Sequence, residues 1–147
     1  MLPEIVGMSH RFVVTVGMFV LGSWSKVSGL AVKWDLAEYR VGNSDEYFKF
    51  AGVPRFERLK LSRAAALGTS TMVRQWLETS AQNGGAPMEG HVVLTATGLP
   101  VAEWTLRAMF PIAWSISDFD ASSSKVAIET LEIAYSGFLS TGNRYGS

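Results

Sequence analysis

The residues of this chain that are able to act as acids, bases, nucleophiles or metal ligands are few and scattered. There are two histidines, His10 and His91, and no cysteine among 147 residues. The absence of cysteine excludes disulfides, thiolate metal sites and cysteine catalysis. His91 opens a predicted strand directly after a turn, a position typical of a solvated or edge histidine. Neither histidine belongs to a nucleophile motif or to a pair of metal-ligand histidines.

The remaining candidates for acid–base or metal chemistry are four carboxylates late in the chain. Asp118 and Asp120 lie in a polar turn, where such side chains hydrogen-bond the backbone. Glu129 and Glu132 are three residues apart, so a regular strand places them on opposite faces. This arrangement predicts neither a calcium site nor a glycosidase pair. We therefore predict no catalytic residue, no metal ligand and no cofactor.

Charge and hydropathy exclude further classes of partner. The 13 basic residues and 13 acidic residues cancel, so no overall field attracts nucleic acid or an anionic membrane. Gly84-Gly85 precedes a strand and is not followed by a helix and a lysine, which predicts a turn instead of a phosphate-binding loop. The apolar run Phe12–Leu21 is too short to span a bilayer. It imitates a signal peptide, but Pro3 and Glu4 stand where positive charge is needed, and we interpret the run as the first strand.

The elements that would position these residues are mostly strands, and two long runs dominate. Trp104–Ile116 and Lys125–Tyr135 flank a short polar segment rich in Ser and Asp, which predicts a long antiparallel hairpin. Alternation divides the first run into two faces. One face is predicted to carry Trp104, Leu106, Ala108 and Phe110, and the other Glu103, Thr105 and Arg107.

The second run changes phase within itself. Val126 and Ile128 have one parity, whereas Leu131, Ile133 and Tyr135 have the other. Two interpretations stay open. Either a bulge shifts the phase near residues 129–130, or both faces of the strand are covered, one of them by a second copy of the chain.

The rest of the sequence predicts a mainly antiparallel β fold with one helix. Between residues 30 and 40 the apolar side chains of Val32, Trp34 and Leu36 alternate with polar ones, which predicts one dry and one wet face. Tyr47–Phe50 is predicted as a brief strand that ends at Gly52-Val53-Pro54. Helical spacing of apolar residues predicts an amphipathic helix over Thr69–Ala81. We count about seven or eight strands in a single domain, residues 1–147, with a core at about 11–138 and flexible termini at 1–9 and 140–147.

The chain resembles the tail tube proteins of contractile phages and of phage-derived contractile injection systems, from about Phe12 to Phe138. The most specific pieces are the turn Val27-Ser28-Gly29-Leu30 and the strand Val126-Ala127-Ile128-Glu129-Thr130-Leu131-Glu132, in this order and spacing. One departure is Tyr135-Ser136-Gly137, where the family often has His-Glu-Gly.

The resemblance implies two packed antiparallel sheets that form a small β-barrel-like domain with one flanking helix. It implies a structural protein without enzymatic activity or cofactor, of which six copies form a ring and rings stack into a hollow inner tube. The implied partners are other copies of the chain, a sheath, a baseplate, tube-terminating proteins, and phage DNA or effector cargo in the lumen. Neither specific nucleic-acid recognition nor stable membrane insertion is implied. Assembly is expected in a bacterial cytoplasm, and the final place is a phage tail or an injection particle.

Candidate sites follow from combining the strand faces with this resemblance. The segment near Leu36–Arg55 is expected to contact neighbouring subunits. Candidate channel-facing or exposed residues are Lys33, Asp35, Glu103, Thr105 and Arg107. Candidate inter-subunit contacts are Ser28, Gly29, Glu38, Tyr39, Arg40, Asp45, Glu46, Tyr47, Leu131, Ile133 and Tyr135.

Two other functions remain as alternatives. A secretion-system ring of the same fold would also chaperone effectors in its lumen. A small β-sandwich that binds carbohydrate or protein would use exposed members of the five Trp, eight Phe and four Tyr residues. Most of these aromatic residues fall at core positions of the predicted strands, which favours a role in the core over ligand binding.

Overall fold

The computed structural model describes residues 10–43, 45–65, 71–82, 86–117 and 126–139. Nine strands and one helix lie in this part of the chain. In chain order they are β1 (His10–Val16), β2 (Phe19–Trp24), β3 (Lys26–Ser28), β4 (Val32–Arg40), β5 (Tyr47–Phe56), β6 (Leu59–Ala64), α1 (Thr71–Gln82), β7 (Met88–Ala96), β8 (Leu99–Ile116) and β9 (Ile128–Ala134). The predicted caps and turns at residues 66–70, 83–85 and 118–125, and the predicted flexible termini, fall outside the described residues.

Seven strands form one antiparallel sheet in the order β2-β1-β7-β8-β9-β6-β3. The 18-residue strand β8 pairs with β7 through its first half and with β9 through its second half. The sheet therefore has two halves that share β8 and fold over one core. Strands β4 and β5 form a separate two-stranded sheet. The predicted fold class and the predicted β8–β9 hairpin are confirmed.

The core lies between the two halves of the large sheet, with α1 against β2 and β8. Alternate residues of the strands enter it, as the period of two requires. Its fully buried members include Val14, Val16, Leu21, Trp24, Leu59, Leu61, Val73, Trp76, Val92, Leu106, Met109, Leu131 and Ile133. The strand residues among them fix the register of each strand, because a slip of one residue would turn their side chains to the solvent.

The prediction that Ala108 and Phe110 share a face with Leu106 is wrong. Strand β8 carries one more residue than β7 between the pairs Gly90↔Leu106 and Met88↔Met109. Ala108 adopts φ 56°, so a bulge rotates the strand there and Met109 enters the core in place of Ala108. Phe110 is then 36% exposed.

The proposed phase shift within β9 is absent from the described strand. Strand β9 pairs with β6 in unbroken register, and its alternate residues Glu129, Leu131 and Ile133 are all fully buried. Ile128 lies on the opposite, outer face and is 42% exposed. The irregularity lies in the partner strand β8, between Pro111 and Ala113. Glu129 and Glu132 do lie on opposite faces, as predicted.

Two predictions for the small sheet are wrong. Strand β5 does not end at Gly52; it continues to Phe56 because its register with β4 shifts and absorbs the irregularity. Strand β4 has no dry face within the chain, since Trp34 and Leu36 are 48% and 64% exposed.

Gly90 provides a test of the packing between β1 and β8. A Cβ atom there would collide with the Thr15 carbonyl oxygen and lie 2.6 Å from Met109 Sδ. Gly90→Ala is expected to lower the free energy of unfolding by about 2–3 kcal/mol, because overpacking forces backbone to move. Urea denaturation would measure the change.

Gly98→Ala is the matched control. Gly98 has φ 83°, and a Cβ added to it would meet no other atom within 4 Å, so only backbone strain opposes alanine. We expect a loss of about 1 kcal/mol. Equal losses at the two positions would contradict the steric explanation for Gly90.

Candidate assembly interface

A small aromatic cluster joins the β4–β5 hairpin to the large sheet and its core, which we call the body. The root of the hairpin is the end nearest the body. Val32 pairs with Phe56 at the root, and Arg40 pairs with Tyr47 at the far end. The Phe56 ring centroid lies 5.8 Å from that of Tyr135 and 5.0 Å from that of Phe138. Beyond the root, both faces of the hairpin carry exposed side chains.

One face, which we call the tyrosine face, consists of Lys33, Asp35, Ala37 and Tyr39 from β4 and of Phe48, Phe50 and Arg55 from β5. The Tyr39 ring stacks on Phe48 at 5.7 Å and meets Phe50 edge-on at 6.2 Å. These three rings are 55%, 47% and 53% exposed. Nearer the root, Arg55 Nε donates a 2.8 Å hydrogen bond to Asp35 Oδ2. The tyrosine face is thus ionic near the body and aromatic towards the tip.

The opposite face, the tryptophan face, consists of Trp34, Leu36, Glu38 and Arg40 from β4 and of Tyr47, Lys49 and Ala51 from β5. Trp34 and Leu36 are the exposed apolar pair near the body. Towards the tip, the Arg40 guanidinium lies 5.9 Å from the Tyr47 ring centroid and 3.6 Å from Asp45. The tryptophan face is therefore apolar near the body and carries its ionic group towards the tip, which is the reverse of the tyrosine face.

This distribution of apolar surface is typical of an interaction site. A two-stranded sheet alone in water is marginally stable, and soluble monomers rarely expose large contiguous apolar patches. Seven large apolar side chains along the two strands of one hairpin, from 47% to 74% exposed, form a surface of the kind that contacts another molecule.

The structure divides the candidate channel-facing residues between two surfaces. Lys33 and Asp35 are exposed on the tyrosine face of the hairpin. Glu103 and Thr105 are exposed on the outer face of the large sheet, where His91 Nδ1 lies 3.2 Å from Glu103 and 3.1 Å from Thr105 Oγ1.

Arg107 is less accessible than the others. Its Nη1 donates a 2.6 Å hydrogen bond to the Leu139 carbonyl oxygen. Its backbone also pairs with Gly137 at the β8 bulge. Arg107 therefore holds the segment that follows β9 against the body.

The candidate inter-subunit residues separate into three groups. Exposed hairpin residues form the first group: Glu38, Tyr39, Arg40, Asp45, Glu46 and Tyr47. Ser28 and Gly29 form the second, at the turn after β3. The third group lies inside the same chain, because Leu131 and Ile133 are 0% exposed and Tyr135 is 8% exposed. These three side chains form the subunit core and offer almost no surface to a neighbour.

Tyr135 holds the β3 turn in place. Its hydroxyl donates a 2.9 Å hydrogen bond to the Gly29 carbonyl oxygen. Gly29 has φ 93°, and a Cβ there would overlap the Arg58 carbonyl group, so the turn needs glycine. Burial raises the pKa of Tyr135 to about 12, with a smaller increase from the negative charge of Glu57, against a hydrogen bond from the Ala31 backbone.

The structure contains a buried ion pair between β6 and β9 that the sequence analysis does not predict. Arg63 Nε lies 2.8 Å from Glu129 Oε1, and the two residues are 6% and 0% exposed. The sequence does carry a signal for this pair: Arg63 has the parity of Leu59 and Leu61, and Glu129 has that of Leu131. In each strand the alternate residues that face the core include one charged residue, and the two charges are opposite.

Further contacts extend the ion pair to β2 and β8. Arg63 Nη1 donates hydrogen bonds to the carbonyl oxygens of Leu21 at 3.0 Å and Ser23 at 3.2 Å, both on the edge strand β2. The guanidinium carbon lies 3.8 Å from the Trp24 ring centroid. Trp114 Nε1 donates a 2.8 Å hydrogen bond to Glu129 Oε2. The network joins the four strands β2, β6, β8 and β9.

The described residues contain no group of three or more histidine and acidic side chains placed to hold a metal ion. In the same part of the chain, α1 has 12 residues, and no helix reaches the length and apolar character that crossing a bilayer requires.

Comparison with known proteins identifies the fold. The family model for the T4-like virus tail tube protein gp19 matches residues 8–139. No curated protein sequence matches the chain. Among solved structures, a chain of the PVC extracellular contractile injection system sheath/tube terminator, in the extended state, shares 25% identity at a TM-score of 0.70, over 88% of this chain and 91% of that one.

Two further structures share the fold. A chain of the six-fold symmetrised baseplate of the anti-feeding prophage has 22% identity and a TM-score of 0.67, with 88% of this chain and 90% of that chain covered. An Hcp protein crystal structure has 8% identity and a TM-score of 0.51, with 86% and 88% covered.

Tyr135 predicts a loss of stability at high pH. Its pKa is raised from 10.0 to about 12 in the folded chain, so the folded state retains the phenol proton that the unfolded state releases above pH 10. The stabilisation is fully present below pH 10 and is lost as the pH rises towards 12. Tyr135→Phe should flatten the fall in unfolding free energy over this range, and equal slopes for the two proteins would contradict the assignment.

The buried ion pair predicts strong coupling between Arg63 and Glu129. Removing either partner leaves a buried charge, so Arg63→Met or Glu129→Leu should each cost about 3–5 kcal/mol of unfolding free energy. The double variant should cost about 2 kcal/mol less than the sum of the two single losses, because neither charge is left unpaired. A denaturant double-mutant cycle measures this coupling, with Glu129→Gln as a milder single variant. Additive losses would show that the two side chains do not interact.

Proposed function

The chain belongs to the T4-like virus tail tube protein gp19 family, and from this we propose that it is a structural subunit of the inner tube of a contractile phage tail or contractile injection system. The single observation that carries the proposal is the family match over residues 8–139 of the 147. The exposed apolar hairpin supports it independently, since a self-assembling subunit needs such a surface.

The proposed assembly is a ring of six copies, and rings stack into a hollow tube. Sheath, baseplate and tube-terminating proteins are the proposed partners, supported by the sheath/tube terminator and the baseplate in which similar chains occur. These similarities favour the headless injection-system branch, with effector cargo in the lumen, over a phage tail that conducts DNA. The tube would assemble in a bacterial cytoplasm and act in an extracellular particle or a tail.

The whole chain, residues 1–147, is proposed to be one tail-tube domain. The proposed role is mechanical: a sheath drives the tube through an envelope, and the subunit itself performs no catalysis and needs no cofactor. The structural character of the family supports this assignment.

The proposed contact surfaces are those that the single chain leaves exposed. The hairpin residues and the turn at Ser28-Gly29 would contact neighbouring copies. Glu103 and Thr105 on the outer face of the large sheet, with Arg107 beside them, would face the channel, whereas Lys33 and Asp35 would lie at a subunit contact or on an exposed surface.

Electron microscopy of the purified protein tests this function. We expect rings or stacked tubes with an open central channel, because the exposed hairpin surface favours self-association, and a mass in solution that is a multiple of six chains. If the protein alone stays monomeric, sheath and baseplate components should induce tubes by supplying a template.

A protein that remained monomeric at high concentration, with and without those components, would contradict the tube function and favour the ligand-binding sandwich. A map of assembled tubes that placed Thr105 away from the lumen would contradict the channel assignment alone. Tubes would leave the ligand-binding alternative without support, and discrete rings that bind effectors without stacking would favour the chaperone alternative.

A further inference from the structure

Strand β8 changes partner halfway along its length, and this leaves part of it with an open edge. Strand β7 pairs with β8 only as far as Met109, whereas β9 pairs with it from Phe110 to Ile116. Within the described residues, no strand pairs with residues 110–116 on the side opposite β9. Pro111 lies in this stretch, and proline within a sheet is typical of an edge. The main-chain groups on this side are therefore available to another strand.

The hydrogen bonds to β9 show which residues of β8 direct their main-chain groups to the open edge. Ser117 N donates a 2.9 Å hydrogen bond to the Ile128 carbonyl oxygen. In an antiparallel pair, alternate residues direct their N–H and C=O groups to the same side. Ser115 therefore points its main-chain groups towards β9, and Trp114 and Ile116 point theirs towards the open edge.

Helix α1 lies beside this edge, and the two elements enclose a groove that we call the α1–β8 groove. It is lined by Leu77, Ser80 and Ala81 of α1 and by residues 111–114 of β8. The described residues that line it are all uncharged. Its volume of about 290 Å³ is close to the lower limit of about 300 Å³ for pockets that enclose a small molecule. The groove therefore fits a few side chains of an extended segment better than a free ligand.

The packing of the body is incomplete at the α1–β8 groove. Trp114 pairs with the fully buried Leu131 across β9 and so faces the core side of its strand, yet it is 41% exposed. Ser80 is 7% exposed, and its Oγ has no hydrogen-bond partner among the described residues. Buried polar groups normally have a partner. Both observations indicate that another molecule completes this part of the structure.

The edge strands of this chain match the groove poorly, which argues against a second copy as its occupant. Strand β4 carries charges on both faces, such as Lys33 and Glu38, and β5 also carries Lys and Arg. Strand β3 has only three residues. Strand β2 is uncharged, but Arg63 already donates hydrogen bonds to the carbonyl oxygens of Leu21 and Ser23.

We propose that the α1–β8 groove is a docking site for an extended segment of a different protein, which adds as a strand to residues 110–116 of β8. A strand added to an open edge gains affinity from main-chain hydrogen bonds and specificity from the pockets that receive its alternate side chains. The side chains that enter the groove are apolar and uncharged, and they cover Trp114 and Leu77. The site is separate from the proposed contacts between copies and does not depend on the tube function.

A library of displayed peptides, each as long as the open edge, tests the site on the purified full-length chain. Enriched sequences are expected to carry apolar residues at alternate positions, with neither proline nor charge at those positions. A synthetic copy of an enriched peptide is then methylated at alternate backbone amides, in either of the two registers. One register should weaken binding at least tenfold, because it removes the N–H groups that face β8, and the other register should leave binding unchanged.

A pair of variants on α1 locates the binding. Ala81→Glu places a charge at the groove and should weaken binding of the enriched peptide at least tenfold. Gln75→Glu is the matched control, because Gln75 is exposed on the same helix and does not line the groove. It should leave binding unchanged. The methylated peptides need no variant, so they test the site even if Ala81→Glu perturbs the fold.

Three results would overturn the docking site: no enriched peptide, equal binding of the two methylated peptides, or full binding to a folded Ala81→Glu variant. A synthetic peptide with the sequence of β2 is the probe for a second copy, and it is expected not to bind. Binding of that peptide, with the same sensitivity to Ala81→Glu, would identify another copy as the occupant and overturn the assignment to a different protein.

Discussion

The arrangement of the body depends on the Arg63–Glu129 ion pair. Placing two charges in a core is costly unless hydrogen bonds satisfy them. Here Glu129 also accepts from the Trp114 indole, and Arg63 donates to two carbonyl oxygens of β2. Strand β2 is an edge of the large sheet, and β6 comes from its other half. Arg63 therefore adds side-chain hydrogen bonds between β2 and β6, next to the point where the chain passes through Ser25 into β3 and Ser25 N donates to the Ser62 carbonyl oxygen.

This closure determines where assembly contacts are available. An unpaired strand edge invites pairing with another chain, but carbonyl groups of β2 are already occupied by Arg63. The exposed apolar surface is concentrated instead on the hairpin, which is joined to the body mainly by Phe56 and its two aromatic neighbours. The body and the hairpin thus have different roles. The body is stabilised by its own core, and the hairpin exposes apolar side chains that the described part of the chain leaves uncovered.

The features that depend on local chemistry are predictable from the sequence. Alternation and turn residues place the strands, the helix and the β8–β9 hairpin. The bulge at Ala108 is not predictable, because an alanine with positive φ leaves no compositional signal of the kind that glycine gives. The alternation of apolar and polar residues predicts that Trp34 and Leu36 lie on a face shielded from water. It does not show whether this chain or another molecule covers that face. Leu131 and Ile133 are candidates for subunit contacts for the same reason, and they lie in the chain's own core.

For the same reason, the contacts between copies are difficult to predict from the sequence of one chain. If the unlike faces of the hairpin contact other copies, as proposed, each contact joins unlike surfaces, and such contacts continue from copy to copy unless a rotation closes them. Around the proposed ring, rotation closes the series. Along the axis of the proposed tube, a contact between unlike surfaces does not end the stack by itself, so this contact would not set the length. In the proposed tube, length must therefore be set by another component, and the subunit contributes only a repeated contact whose strength is independent of its position in the stack.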